Sequence, residues 1–327
     1  MNITKLHKKY FDFMDRHLPF GGLVRRNPYA IVFKTTNWCW YKCAHCCESA
    51  GPDQMTTFIP ATTIKSYLAQ AMADPMFDKN VVFTGGEIMS SYRFDNADYV
   101  PELLTFCRDN KLGTDLKTNT GWINTSVATQ IFDDLHSVVT GGPDYWLQVS
   151  LSLDKFHANS MENSLKFITK IATCPDMRVC IHIGMLGPSA SNDYDELKKH
   201  LRERGFRVGR AFSPNTGQRF DVVNNVIMYP TLGTLFAGGR AKNLSDAYHN
   251  KIPQFTVLSD DMHTLMVFDS FGRVTLGEND GHKIKTRWRA SDGTLRSLWN
   301  IRRDLVSRAQ YEELRYRILT GKKVLQK

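Results

Sequence analysis

The chain of 327 residues has no long hydrophobic run, no cysteine after Cys180 and no apolar segment near its start. A membrane-spanning helix needs roughly 18 or more apolar residues, so we expect no transmembrane segment and no membrane partner. The basic first residues lack the apolar core of a secretory signal. Seven cysteines, an odd number, do not make a disulfide scaffold. We therefore expect a reduced, cytoplasmic protein.

The net charge of +9 comes from the end of the chain. Residues 281–327 hold 13 Lys and Arg against 4 Asp and Glu, and the first 280 residues carry no net charge. Such a segment could meet an acidic or phosphorylated partner. A solvated, Arg-rich helix face is the simpler interpretation.

Short β-branched runs alternate with amphipathic stretches after residue 30. The runs predict strands at residues 30–35, 80–84, 113–118, 146–153, 178–185 and 206–212. The stretches predict helices near residues 61–74, 96–109, 125–137, 159–172 and 193–204. This alternation indicates an α/β protein with a parallel sheet, whose chemistry gathers where the strands end.

The predicted organisation has three parts. Residues 1–29 are expected to form a helical extension, and residues 30–212 the α/β unit. Residues 213–327 would form a small α+β cap, with a β-hairpin at 265–277 and a basic helix near 304–319.

Four of the seven cysteines lie within nine residues, directly after the first predicted strand. Cys39, Cys43 and Cys46 have the spacing C-x3-C-x2-C. Three thiolates can hold three irons of a [4Fe–4S] cluster and leave the fourth iron open to another molecule. A structural zinc site needs a fourth ligand in tetrahedral geometry, which His45 or Cys47 would have to supply.

This spacing after a first strand resembles the radical S-adenosylmethionine (SAM) superfamily. There, the ring that His45 represents here lies against the SAM adenine. Residues 83–87 read Phe-Thr-Gly-Gly-Glu and resemble the segment that binds the SAM amino group. Gly85 and Gly86 would allow close backbone approach to a ligand, and Glu87 would accept hydrogen bonds from the ammonium group.

Two further segments follow in the expected order. Residues 117–121 resemble the Thr-Asn-Gly segment of the superfamily, with Thr120 inserted after Asn119. Ser152 and Asp154 form the Ser-x-Asp pattern on one strand face, suited to the ribose and carboxylate of SAM. Arg210, at the end of the sixth predicted strand, could also reach a carboxylate.

The resemblance implies a partial (β/α)6 barrel with one [4Fe–4S] cluster and SAM as cofactors. It implies reductive cleavage of SAM to a 5′-deoxyadenosyl radical that takes hydrogen from a substrate, with flavodoxin or ferredoxin as the reducing partner. Residues 239–241, Gly-Arg-Ala, and the C-terminal segments resemble peptide-modifying members with SPASM or twitch domains. Since no cysteine follows Cys180, an auxiliary cluster is excluded there.

A peptide is therefore the leading substrate, with epimerisation during ribosomal peptide maturation as the leading reaction. Cys180 or Cys174 would donate the returning hydrogen, and His157 would face the substrate. A small molecule in antibiotic biosynthesis, such as a sugar, nucleoside or amino-acid derivative, is the alternative. A zinc-binding nucleic-acid module would leave the Gly-Gly-Glu and Ser-x-Asp segments unexplained, so we do not expect nucleic acid as a partner.

Overall fold

The computed structural model describes residues 29–142, 144–186, 190–212, 219–233, 239–244, 264–276 and 285–305. The predicted N-terminal extension lies outside the described residues except for residue 29, and the predicted basic helix lies outside them beyond residue 305. None of the described helices combines the length and hydrophobicity that crossing a membrane requires.

Eleven strands of the described chain form one mixed sheet. The strands are β1 (Tyr29–Lys34), β2 (Phe77–Thr84), β3 (Gly113–Thr118), β4 (Leu147–Ser152), β5 (Val179–Leu186), β6 (Val208–Phe212), β7 (Arg219–Val223), β8 (Val226–Gly233), β9 (Thr264–Asp269), β10 (Arg273–Leu276) and β11 (Lys285–Arg287). Their order is β11-β10-β9-β1-β2-β3-β4-β5-β8-β7-β6. The seven strands from β9 to β8 run parallel, and both edges are antiparallel.

The helices follow the predicted stretches closely. Five of them are α1 (Ala61–Met72), α2 (Tyr99–Asp109), α3 (Ala128–Thr140), α4 (Ser160–Ala172) and α5 (Ala190–Glu203), with 3-10 turns at Ile88–Arg93, Gly121–Asn124 and Gly239–Asn243; residues 298–305 are also helical. Because β1 to β5 are neighbours in chain order, right-handed crossovers place α1 to α4 on one face of the sheet.

The two faces of the sheet differ in polarity, as β5 illustrates. Val179, Ile181 and Ile183 are fully buried and belong to the hydrophobic core. Cys180 and His182 alternate with them and are only partly buried. Side chains alternate across a strand, so one face packs on the helices while the other presents polar groups. The hydrophobic periodicity therefore predicted the five helices correctly, and the strand runs correctly predicted β1 to β5.

The sixth predicted strand does not continue the parallel series. Residues 208–212 form β6, which lies at the edge of the sheet and pairs antiparallel with β7. The place beside β5 is taken by β8, which pairs with it from Cys180 to Leu186. Pro230 obscured this strand in the sequence, because proline donates no ladder hydrogen bond. It is tolerated here because β7 covers β8 only as far as Met228.

The predicted hairpin near residues 265–277 is present as β9 and β10. Asp269 organises its turn: Oδ1 accepts from the backbone N–H groups of Phe271 at 3.0 Å and Arg273 at 2.8 Å. Gly272 has a φ of +84°, which favours glycine. β9 also pairs in parallel with β1 over its whole length. The hairpin thus extends the main sheet on the side opposite β8.

Candidate functional site

A cavity of about 340 Å³ opens where the parallel strands end. It is lined by Val32, Lys34, Cys39, Tyr41, Cys43, His45, Cys46, Cys47, Glu48, Ala50, Thr84, Gly85, Gly86, Lys117, Thr118, Asn119, Ser152, His157 and Leu186. A more open depression of about 440 Å³ against α1 and α2 contains none of these residues. The motif segments after β1, β2, β3 and β4 therefore meet at one place, as the rule for parallel sheets predicts.

The cysteine thiols lie in a polar but poorly hydrated environment. Cys39 Sγ accepts hydrogen bonds from Tyr41 N at 3.5 Å and Asn119 Nδ2 at 3.1 Å, and Cys46 Sγ accepts from Ala50 N at 3.3 Å. Burial raises the pKa of the Cys39 thiol to about 12 and also raises that of Cys46. Stable thiolates in such a position need a compensating positive charge, which a bound metal centre supplies.

The spacing of possible metal ligands differs between two groups in the cavity wall. In the described part of the chain, only His45, Asp154 and His157 bring one ligand atom each to within 4.8 Å of the others. The cysteines do not form such a group. Around one tetrahedral zinc ion, with Zn–S bonds of about 2.3 Å, thiolates stand about 3.8 Å apart. In a [4Fe–4S] cluster each cysteine binds a different iron, so the sulfurs lie farther apart.

Gly85 and Gly86 allow the end of β2 to pack against the cysteine loop. A Cβ at Gly86 would lie 2.0 Å from the carbonyl oxygen of Trp38, and one at Gly85 would lie 2.5 Å from that of Thr36. Gly86 N donates to Thr36 O at 2.7 Å, and Glu87 N donates to Trp38 O at 2.8 Å. The sequence predicted that the two glycines allow the backbone to approach a ligand. In the structure they instead allow it to approach the cysteine loop.

Glu87 lies under the cavity and does not line it. Its side chain is 1% exposed. Oε1 accepts from Met89 N at 3.2 Å, and Oε2 accepts from Thr118 Oγ1 at 3.0 Å and Asn119 N at 2.9 Å. Burial raises the pKa of this carboxyl to about 7, although these hydrogen bonds oppose the rise. In this structure Glu87 connects the ends of β2 and β3.

Asn119 and Thr120 connect the third motif segment to the cysteine loop. Asn119 Oδ1 accepts from Gly121 N at 2.9 Å, which orients Nδ2 towards Cys39. Thr120, the inserted residue, has a left-handed φ of 57° and is fully buried. The insertion is thus absorbed in a tight turn, and Asn119 still lines the cavity.

Ser152 and Asp154 do not share one role. Ser152 ends β4 and lines the cavity, whereas Asp154 lies beyond the strand and is 4% exposed. Asp154 Oδ1 accepts from Phe156 N at 2.8 Å and contacts His157 Nδ1 at 3.1 Å. Burial lowers the pKa of His157, but the hydrogen bonds and negative charges of Asp154 and Cys43 together outweigh this, and the pKa rises to about 9. His157 is therefore held as a cation at the cavity wall.

His45 contributes an unsatisfied acceptor. Its ring packs against Phe156 and His157, with centroids 4.8 and 4.6 Å away. Nδ1 is buried and has no hydrogen-bond partner among the described residues. Burial lowers the pKa of His45 to about 4, so the ring is neutral at pH 7. A buried polar atom without a partner is costly, so a ligand that hydrogen-bonds to this nitrogen would be favoured here.

Three predicted site residues are not brought to the cavity. Cys180 lies six residues before Leu186 on β5, about 20 Å along a strand that rises about 3.3 Å per residue. Cys174 precedes the first residue of β5, so like Cys180 it lies towards the end of that strand that is far from the cavity. Arg210 is exposed on the edge strand β6.

Sequence reasoning missed the charged residues of the cavity wall. Lys34 forms an ion pair with Glu48, and Lys117 also lines the cavity. Lys34 and Lys117 stand near the ends of β1 and β3, and both side chains line the cavity. Both lysines could have been predicted from the sequence, because each stands at the end of a strand run, just before a motif segment.

Comparison with known proteins gives a likeness of fold alone. No family model matches the sequence, and the search of curated proteins gave no match. Among solved structures, Streptococcus suis SuiB bound to S-adenosylmethionine has a TM-score of 0.42 and 12% identity, over 85% of this chain and 68% of that one. SuiB bound to the precursor peptide SuiA gives 0.37 and 13%, over 76% and 59%. The structure of anSMEcpe with bound AdoMet gives 0.47 and 11%, over 87% and 79%. At these values, the functional argument rests on the residues of this chain.

Proposed function

We propose that this chain is a radical SAM enzyme that binds one [4Fe–4S] cluster through Cys39, Cys43 and Cys46. The observation that carries the proposal is the convergence of four motif segments on one cavity of about 340 Å³. That volume is at the lower end of the range for small-molecule sites. The three thiols do not all lie within 4.8 Å of one another, which fits a cluster better than a single zinc ion.

The side chains present fit both cofactors. Asn119 Nδ2 and Ala50 N, which donate to the sulfurs of Cys39 and Cys46, would stabilise cluster-bound thiolates. His45 Nδ1 would accept from the amino group of the adenine. Ser152, which also lines the cavity, would bind another polar group of SAM.

A cluster held by Cys39, Cys43 and Cys46 would supply the electron for reductive cleavage of SAM, and SAM would supply the radical that abstracts hydrogen from the substrate. The chain's own contribution is to position the cofactors and to exclude water from the cavity. Asp154 accepts the Nδ1 proton of His157 and so orients the ring, which lines the cavity. We include in the proposal a partial-barrel arrangement of β1 to β5, a cluster-free C-terminal segment, a cytoplasmic location and a flavodoxin or ferredoxin as electron donor.

The proposed substrate is a peptide that is modified at a single residue, with epimerisation as the proposed outcome. The support is in the sequence: the Gly-Arg-Ala triplet and the C-terminal segments resemble peptide-modifying members. The alternative is a hydroxyl-rich small molecule, and one observation favours it. On the polar face below the cavity, Ser150 Oγ donates to Asp115 Oδ1 at 2.6 Å and contacts His182 Nδ1 at 2.9 Å. Such a network can bind hydroxyl groups.

Anaerobic reconstitution tests the reaction. Wild type, Cys43→Ala and Cys47→Ala are reconstituted with iron and sulfide, given SAM and dithionite, and assayed for 5′-deoxyadenosine by mass spectrometry. We expect wild type and Cys47→Ala to bind iron and form the product, and Cys43→Ala to do neither. Because Cys47 could serve only a zinc site, loss of metal in Cys47→Ala together with zinc uptake by wild type contradicts the proposal.

A second experiment separates the two substrate classes. Deuterated candidate peptides and deuterated nucleotide sugars are supplied separately to the reconstituted enzyme. Deuterium in 5′-deoxyadenosine identifies the substrate class, because hydrogen abstraction transfers the label to the 5′ carbon. Label from the sugars alone would replace the peptide assignment with the alternative.

A further inference from the structure

The loop that carries the three predicted cluster ligands is held by three separate segments of the chain. Its first half is held by the end of β2, through the hydrogen bonds from Gly86 to Thr36 and from Glu87 to Trp38. Cys39 is further held by Asn119. None of these contacts reaches residues 43–50, which carry the other two ligands.

Arg240 holds the second half of the loop. Its backbone N–H donates to Cys46 O at 3.0 Å. Its guanidinium donates through Nε to Cys43 O at 2.9 Å and through Nη2 to Ala50 O at 2.5 Å. Arg240 is 197 residues away from Cys43 in the chain. One residue thus makes three hydrogen bonds to a loop that forms neither helix nor strand.

The two bonds made by the side chain, to the carbonyl groups of Cys43 and Ala50, require arginine, whereas the backbone bond to Cys46 does not. The carbonyl groups of an irregular loop need donors, because unpaired backbone groups are costly when buried. A guanidinium has five N–H donors in a rigid, planar fork and can bridge two carbonyls in fixed directions. A lysine ammonium carries the same charge on a single nitrogen and a flexible stem, so it cannot reproduce the bridge.

We propose that Arg240 is a positioning residue that fixes the backbone of Cys43 and Cys46 relative to Cys39. With both halves of the loop anchored, the three thiols keep one arrangement in the cavity wall before any cofactor binds. Arg240 serves cluster binding only if the proposed function holds, whereas its hold on the loop is independent of the metal.

Thiol labelling of the metal-free protein tests the hold on the loop. Wild type, Arg240→Lys, Arg240→Gln and the control Arg93→Gln are treated with iodoacetamide under reducing conditions, and each cysteine is followed by peptide mass spectrometry. Arg93 is a suitable control because it is an exposed arginine that contacts the first half of the loop. Its guanidinium lies over the ring of Trp38, 5.5 Å from the centroid.

We expect labelling of Cys43 and Cys46 to become about tenfold faster in both Arg240 variants, which corresponds to about 1.4 kcal/mol. Cys39 and the buried Cys107 should react as in wild type, and Arg93→Gln should change nothing. If Arg240→Lys protects the thiols as well as wild type, charge alone suffices and the positioning role is wrong. If Cys107 also becomes reactive, the variant has lost its fold and a local role is equally excluded.

Iron loading then connects the loop to the cofactor. Arg240→Lys should bind less iron than wild type after identical reconstitution and give a broadened EPR signal on reduction. A wild-type protein that binds no iron but shows the expected labelling pattern would contradict the proposed function and leave the role of Arg240 in the loop intact. Equal iron content and identical EPR spectra in wild type and Arg240→Lys would contradict the role in cluster binding.

Discussion

Replacement of Gly86 by alanine tests the contact between β2 and the cysteine loop. The added Cβ would lie 2.0 Å from Trp38 O, 2.6 Å from Trp38 C and 3.0 Å from Asn37 C. All three are backbone atoms, so no flexible side chain can move aside. Ordinary van der Waals contact between such atoms is about 3.5 Å, so the two segments must separate by more than about 1 Å.

The expected loss of stability follows from what this separation breaks. The hydrogen bonds from Gly86 N to Thr36 O and from Glu87 N to Trp38 O, 2.7 and 2.8 Å long, cannot both survive. Each buried group left unsatisfied costs about 1–3 kcal/mol, and the overpacking adds about 1–3 kcal/mol. We therefore expect Gly86→Ala to lower the free energy of unfolding by about 3 kcal/mol or more.

Denaturant unfolding followed by circular dichroism measures this change. The matched control is Gly209→Ala on the edge strand β6, where a Cβ would meet nothing closer than Val222 O at 3.9 Å. We expect that variant to stay within about 1 kcal/mol of wild type. A Gly86→Ala protein as stable as the control would refute the close approach. If only SAM binding were lost, the glycine would serve the ligand, as the sequence interpretation had it.

Two further substitutions test the site. Asn119→Asp keeps the acceptor for Gly121 N but replaces the donor to Cys39 Sγ by a negative charge, so the reduction potential of the reconstituted cluster should fall by about 60 mV or more; an unchanged potential in a redox titration would count against this contact. Cys180→Ala should retain SAM cleavage and product formation within about twofold, since Cys180 lies about 20 Å along β5 from Leu186; cleavage without product would show instead that this thiol reaches the substrate.

Local patterns predicted much of the fold. The five helices and the first five strands follow from periodicity and β-branched runs, because both depend on neighbours within a few residues. The C-x3-C-x2-C spacing and the segments after β2, β3 and β4 were visible for the same reason. Since those strands are parallel and adjacent, their ends meet, and the sequence could anticipate that the motif segments converge.

Contacts between distant segments could not be read in this way. Nothing local distinguishes β6 from β8 as the neighbour of β5, since the choice depends on how a hairpin packs against the sheet. The same is true of β9, which pairs with β1 from more than 200 residues away. Such pairings are selected by the burial of whole faces, which no short window of sequence contains.

The site residues show the same difference between what local sequence predicts and what distant contacts determine. Sequence patterns predicted several residues that line the cavity: the three thiols, Asn119, Ser152 and the ring of His45. The contacts of Gly86 with the cysteine loop, of Asp154 with His157 and of Arg240 with the second half of the loop became visible only in the tertiary structure. The physical reason is that residue type and spacing are local properties, whereas hydrogen-bond partners and steric clearance depend on which distant segments fold against each other.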